Sequence, residues 1–372
     1  MSLVLKSNNI ATASLGNVNG LPSQDYALFL DFENGQYTKK INGAISSLTE
    51  AEVLTCTSQK NLPSQPMTMD RIGVKSVITQ QQPRFWGSKG RYGLLIEADQ
   101  TNLFLNSEAP VSQSIAIPAG SVVVVSCVGS GSLSVSGTNI DSMTVTESSP
   151  KTVTPLNQAQ AITLDITVNG SLSHAQVVRC SGIPTVHSPI VTGSSSRPGG
   201  PDNIEINQAL LTEILNSSSN VTVLLQTVGI DYTFDTRAVS ENRCFLETDT
   251  HICAVSLNKK VDSVGMRLAS YTKAGAVETT PVIVNTKAYT QNSAITQAIT
   301  FNSSGLKCAT NGGSLLDSNS AVNYNLLKRM LLGTHISSPL IIQGANCIYT
   351  KIAIFNKVLT DSEILEYSKS WI

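Results

Sequence analysis

The strongest constraint on how this chain folds is a strict two-residue alternation of apolar and polar side chains. Ile162, Leu164, Ile166 and Val168 alternate with Thr163, Asp165 and Thr167, and Ser132-Leu133-Ser134-Val135-Ser136 repeats the pattern. Successive side chains of a strand point to opposite faces, so this period specifies strands with one face buried and one in water. Asn169-Gly170 closes the first run and Leu172 opens the next. Both turn residues tolerate positive φ, so a hairpin with a type I′ turn is expected there. Short strands separated by turn residues over 101–190 predict a small β-sandwich.

The same reading divides the rest of the chain. Residues 1–25 mix Ser, Asn, Gly and Ala with scattered apolar side chains, Leu3, Leu5 and Ile10 foremost. Such a segment is too polar for a core and too apolar for an idle tail, and is expected to be an extended arm ordering against a partner. Residues 26–100 read as an irregular and partly β connecting region, with Pro63 and Pro66 excluding a regular helix or central strand nearby. Residues 191–202, with Arg197-Pro198-Gly199-Gly200-Pro201, read as a linker. Residues 203–372 form a second strand-rich unit. It opens on a helical turn over 207–215 and includes the alternating sets Val221, Val223, Leu225 and Val264, Met266, Leu268, with a last strand over 351–355. The end is a well-signalled helix. Thr360-Asp361-Ser362-Glu363 fits a capping box, Leu359 and Ile364 suit a hydrophobic staple, and Ile364, Tyr367 and Trp371 share one face. The fold class is therefore mainly β, with two sandwiches after an extended N-terminal arm and a short C-terminal α-helix.

Charge narrows the partners. Only 14% of residues are charged and the formal net charge is −1. No surplus of cations exists to neutralise phosphates, so nucleic-acid binding is not expected. No apolar stretch approaches the roughly 20 residues of a membrane helix, so insertion is not expected either. The seven cysteines are scattered without a C-x-x-C pair, and His174, His187, His251 and His335 show no ligand spacing. Cysteines in such an arrangement read as small buried hydrophobes, and no cofactor or metal is implied. No nucleophile elbow, H-E-x-x-H helix or phosphate-binding loop occurs. Among the acids, Asp231, Asp235, Glu247 and Asp249 are the residues that loops would have to bring together for two-carboxylate chemistry. Solvated loop acids are the plainer reading of the same four.

Five segments carry a resemblance. Pro83-Arg84-Phe85, then Gly93-Leu94-Leu95-Ile96-Glu97, then Thr101-Asn102-Leu103-Phe104-Leu105-Asn106-Ser107 resemble a run that recurs in bacteriophage virion structural proteins of fibre type. Leu306 to Gly313 and the closing run through Thr360-Asp361-Ser362-Glu363-Ile364 resemble a concanavalin-like or laminin-G-like sandwich. The run before Gly93 is compressed relative to that pattern, and Gln100 stands where arginine is common.

The resemblance implies a non-enzymatic virion-surface subunit, made in the bacterial host cytoplasm. It implies a carbohydrate-module-like sandwich at 101–190 and a lectin-like one at 203–372. It further implies a homotrimer, docking to other virion proteins through the arm, and contact with host surface glycans. Two other readings stay open, a capsid, collar or baseplate decoration protein without a receptor and a polysaccharide depolymerase. For glycan contact the loop holding Tyr232, Asp235, Arg237 and Arg243 offers hydrogen-bonding groups and one aromatic face, and Asn311 to Asn325 is the second candidate loop.

Overall fold

The computed structural model describes residues 25–369, except 57–66, 79–81, 89, 98–99, 155–158, 181–187, 200–201, 230–238, 260–262, 273–281, 284–286, 289–292, 303–304, 319–325, 334, 338–339 and 343–345. Leu3, Leu5, Ile10 and Trp371 lie outside the described residues. The chain is mainly β with antiparallel pairing and a short C-terminal helix, as its alternation predicts.

The domain layout differs from the expected one. One sheet of the larger sandwich runs in the order Leu316–Ser318, Gly305–Thr310, Ile295–Asn302, Val221–Gly229, Cys347–Phe355, Leu28–Asp31, Gln36–Ile41, Ala44–Ser47. Gly93–Ile96 joins it through Cys347–Phe355 and brings in Arg84–Trp86. The facing sheet runs Val282–Ile283, Ser263–Thr272, His251–Lys259, Val239–Glu247, Arg329–Gly333, Asn203–Ile206, Leu54–Cys56. Residues expected to form an irregular connector thus supply strands to both sheets, and the larger sandwich is discontinuous in sequence. Its core interleaves Leu28, Leu30, Phe32, Leu94 and Ile96 with Val223, Leu225, Ile352 and Ile354. The connector even carries its own capping box, with Thr49 capping the short helix Glu50–Val53 and Glu52 reaching back.

The smaller sandwich, residues 100–199, is therefore an insertion between two strands of the larger one. Its four-stranded sheet has the order Gln113–Ile117, Ile162–Asn169, Ser132–Gly137, Met143–Val145. Its five-stranded sheet has the order Lys151–Val153, Val123–Val128, His174–Cys180, Gln100–Asn102, Arg197–Gly199. Ile115, Leu133, Val135, Leu164 and Ile166 from the first sheet meet Val123, Val125, Ala175 and Val177 from the second in one core.

Two expectations are corrected here. Asn169-Gly170 does not close a hairpin: Ile162–Asn169 and His174–Cys180 belong to different sheets, and the turn carries the chain across the sandwich. Only Gly170 has positive φ, whereas a type I′ turn needs both central residues there. The stretch 191–202 is not a free linker either. Arg197–Gly199 pairs with Gln100–Asn102 as an edge strand, where Pro198 costs no ladder bond.

Local signals hold at the helices. Asn207 caps Gln208–Leu215 by accepting from the N–H groups of Ala209 and Leu210. In the terminal helix Asp361–Lys369, Glu363 accepts from Thr360 N–H at 2.7 Å and Thr360 Oγ1 from Glu363 N–H at 3.3 Å, completing the box. Ile364 and Tyr367 are buried against Phe29, Leu224 and Phe355 on the outer face of the large sheet. Thr360→Ala is expected to lower stability by about 1 kcal/mol through the lost cap. A thermal or denaturant melt indistinguishable from the parent would show that the box contributes nothing.

Candidate functional site

Among the described residues, a dense set of buried polar contacts lies where the chain leaves the large sandwich and returns to it. Glu97 follows the strand Gly93–Ile96 on the way out, and Asp202 precedes Asn203–Ile206 on the way back. Arg84, on the neighbouring strand, reaches both. Its Nη1 lies 2.7 Å from Glu97 Oε2, its Nε donates to Asp202 Oδ1 at 3.1 Å, and its Nη2 donates to Asp202 Oδ2. Glu97 N–H donates to Asp202 Oδ2 at 2.8 Å, and Asp202 N–H donates to Glu97 O at 2.9 Å. Ser188, from the end of the inserted sandwich, donates its N–H and hydroxyl to the two Glu97 oxygens at 2.7 and 2.6 Å. It also accepts from Arg84 Nη1 at 3.0 Å.

The three charged side chains are 6%, 0% and 3% exposed for Arg84, Glu97 and Asp202. Burial pushes the Asp202 carboxyl up and Arg84 pulls it back, leaving it raised. Burial opposes the charge on Arg84, but the two carboxylates outweigh it, and its basicity is raised. Every carboxylate oxygen accepts a hydrogen bond, and none faces solvent. Chemically the cluster is a clamp between two modules and not an acid–base pair awaiting a substrate.

Other residues of the virion-protein resemblance pack within one sandwich or the other. Gly93 lies so close to the backbone of Tyr349 that an added Cβ would collide with its carbonyl oxygen. Asn102, fully buried, donates to Ile190 O at 2.8 Å and accepts from the N–H groups of Phe104 and Val177. Ser107 Oγ accepts from Thr192 N–H at 2.9 Å, and Asn106 turns the chain with φ 51°. Asp202 and Ser188 complete the joint without a sequence signal of their own. A lone acid after Pro-Gly-Gly-Pro and a lone serine look like any loop residues.

The residues expected to meet a ligand fare differently. Tyr232, Asp235 and Arg237 lie outside the described residues. Arg243 is not on a loop: it sits in the strand Val239–Glu247 with its side chain wholly buried, and its carbonyl accepts the Tyr349 hydroxyl. The cause is a bulge, since the register with His251–Lys259 shifts between Asn242 and Cys244 and turns Arg243 inward. Of the second segment, Asn311 exchanges hydrogen bonds with Thr296, and Gly312 donates to Ser368 Oγ at 3.2 Å. A Cβ at Gly312 would collide with Lys369. That turn is committed to packing under the terminal helix, and residues 319–325 lie outside the description. Glu247 is bridged to Glu205 by Arg329, whereas Asp249 lies 3.8 Å from Lys328. Among the described side chains five cysteines are buried and Cys56 is half-buried, and burial pushes the thiols of Cys253 and Cys308 up to about 12.

One surface stands out from the large sandwich. The hairpin of Met67–Met69 and Lys75–Val77 is fixed on its inner side. Phe85 N–H donates to Thr68 Oγ1 at 2.9 Å, Tyr92 Oη donates to Met69 O at 2.8 Å, and Arg71 Nε donates to Glu33 O at 2.8 Å. Arg71 lies over the Tyr92 ring and Lys75 over the Trp86 ring, each 5.5 Å from the centroid. Its outer side is apolar. Ile72 is 86% exposed, and Val74 and Val77 are more than half exposed. Among the described residues no helix is long and apolar enough to cross a membrane, and no three metal-ligating side chains converge.

No protein-family model matches the chain, and no curated protein matches its sequence. Similarity appears among solved structures. The CBM40 module of a Ruminococcus gnavus IT-sialidase, solved with α2,3 sialyllactose, is 13% identical over 42% of this chain and 85% of that one, with a TM-score of 0.30. The binding domain of botulinum neurotoxin serotype D is 18% identical over 45% of this chain and 40% of that one, also at 0.30. A leech intramolecular trans-sialidase is 12% identical over 44% and 25%, at 0.32.

Proposed function

We propose that this chain is a non-catalytic structural subunit of a bacteriophage particle, a fibre or spike at the virion surface. In this reading residues 1–25 dock other virion proteins, the chains associate as a homotrimer, and the larger sandwich contacts host surface glycans. The observation that carries the proposal is the joint. Two of the residues that resemble virion proteins, Arg84 and Glu97, lock Ser188 of the inserted sandwich and Asp202 of the returning chain onto the larger one. A lock of this kind holds two modules as one stiff body, which suits a subunit that transmits load along a particle. The exposed hairpin at 67–77 is the surface on which copies of the chain would meet, because unpaired apolar edges are otherwise an aggregation hazard.

Mass spectrometry of purified particles is expected to recover the full chain, and sedimentation of the isolated chain to show trimers that Ile72→Asp reduces to monomers. A trimeric full chain presented at high copy number is expected to bind a host-glycan array by avidity, although each site alone is weak. Recovery of the chain only outside particles would remove the virion reading. Particle incorporation without glycan binding would favour a decoration role, and release of reducing sugar from host polysaccharide would overturn the non-catalytic one.

A further inference from the structure

A second buried polar cluster lies inside the core of the larger sandwich, away from the joint. Gln297 is 0% exposed, and among the described residues neither its amide oxygen nor its amide nitrogen has a hydrogen-bond partner. Thr310 and Thr227 are 3% and 1% exposed, and their hydroxyls are likewise unpartnered. The three are neighbours by register. Gln297 stands directly opposite Thr310 and Leu225, and Thr227 stands opposite Ile295, two residues from Gln297 on the same strand.

All three point into the space between the sheets. Gln297 is two residues before Ile299 and Thr310 two after Cys308, both core residues. Thr227 lies opposite the core residue Tyr349, past the register shift at Gln226. Opposed side chains in a sheet have Cβ atoms about 4.5–5.5 Å apart and diagonal ones about 7–8 Å. Thr227 and Thr310 lie on the strands either side of the Gln297 strand, too far apart for their hydroxyls to meet, and each neighbours the Gln297 amide closely enough for bridging molecules that accept and donate at about 2.8 Å.

Four unmet polar atoms in one layer are expensive, since each buried group left unpaired costs about 1–3 kcal/mol. Their chemistry defines what would satisfy them. The set is neutral, with an amide N–H₂ donor, an amide acceptor and two hydroxyls that do both. Ile295, Ile299, Leu225 and Cys308, each 0% exposed, close the layer to solvent. A neutral ligand that donates and accepts in a closed site fits water and excludes a saccharide or an anion.

We propose that this layer is a structural hydration site, in which internal water bridges Gln297, Thr310 and Thr227 and ties three strands of the large sheet together. Water with about three partners is the usual occupant of such buried polar sites and is costly to remove. The site is separate from any glycan-contacting loop, so it stands or falls independently of the proposed function.

Isosteric substitution in the full chain separates the alternatives. If water bridges the layer, Thr310→Val removes a partner and strands the rest, so the melting temperature should fall by roughly 2–4 °C. Gln297→Met should lower it similarly. If the hydroxyl and amide are simply unpaired, the same changes remove desolvated groups and add apolar contact, and the melting temperature should rise. An unchanged or higher melting temperature for both variants would overturn the proposal. A crystal structure of the parent at high resolution gives the direct reading: ordered density within hydrogen-bonding distance of Gln297 Nε2 and Thr310 Oγ1 supports it, and an empty site refutes it.

Discussion

Residues 203–372 produced alone are expected to be unfolded or aggregated, although they contain every strand of the second strand-rich unit read from the sequence. The large sheet would lose Leu28–Asp31, Gln36–Ile41, Ala44–Ser47, Arg84–Trp86 and Gly93–Ile96, which is five of its ten strands. Cys347–Phe355 would lose two of its three pairing partners, Leu28–Asp31 and Gly93–Ile96. The core would lose Leu28, Leu30, Phe32, Val53, Leu54, Leu94 and Ile96, all buried with the C-terminal strands. Burying side chains of this kind is worth about 1.5–3 kcal/mol each, so the loss is on the order of 10–20 kcal/mol. Whole domains are stable by only about 5–15 kcal/mol. The complementary deletion should behave in the opposite way. Glu97 and Asp202 are hydrogen-bonded backbone to backbone, so replacing 98–201 with a short turn closes the larger sandwich without moving its strands. Circular dichroism and size-exclusion chromatography read both outcomes. A cooperative melt from the 203–372 fragment would show that the N-terminal strands are dispensable, and the discontinuous domain would have to be abandoned.

Arg84→Met is expected to cost about 3–5 kcal/mol, among the largest effects of any single substitution in this chain. It leaves Glu97 and Asp202 facing each other, buried, without their cation, and removing one partner of a buried ion pair carries that cost. Arg84→Lys should recover little, because one ammonium cannot reproduce the forked contacts to Asp202 and to Glu97. The sign of the pH response follows from the same charges. Burial already holds the Asp202 carboxyl above its ordinary value against the pull of Arg84, and losing that cation raises it further above its unfolded value. The folded state then binds more protons, and stability falls as pH rises from the ordinary carboxylate range toward neutrality. Arg84→Met should therefore be firmer near pH 4.5 than at pH 7. The triple change Arg84→Met, Glu97→Leu, Asp202→Leu should restore much of the loss, since an apolar cluster of similar volume replaces a buried triad at little cost. Denaturant titration at both pH values checks each statement. A single variant within ~0.5 kcal/mol of the parent would mean that the joint does not depend on its ions.

Short-range features of this chain were legible without its tertiary structure. Ser132–Gly137 and Ile162–Asn169 bury alternate residues as their period requires, and the terminal helix begins at the box formed by Thr360 and Glu363. These depend on residues within a few positions of one another, where sequence order and spatial order coincide. Arg84 and Glu97 stand out in the sequence, but what they do does not. Their meaning depends on Asp202, 118 positions from Arg84, and on Ser188, 104 positions away, contacts that no spacing encodes. Asn169-Gly170 reads as a hairpin because its dipeptide chemistry is local, whereas the sheet that the next strand joins is settled by which core receives Ala175 and Val177. The strand Val221–Gly229 is buried at every position, so alternation within it carries no record of which face meets the opposite sheet and which meets the helix. The tertiary structure therefore decided that residues 28–96 belong with 203–369. Strand pairing is satisfied by backbone groups common to every residue, and which strands pair is chosen by the apolar area that the finished core removes from water.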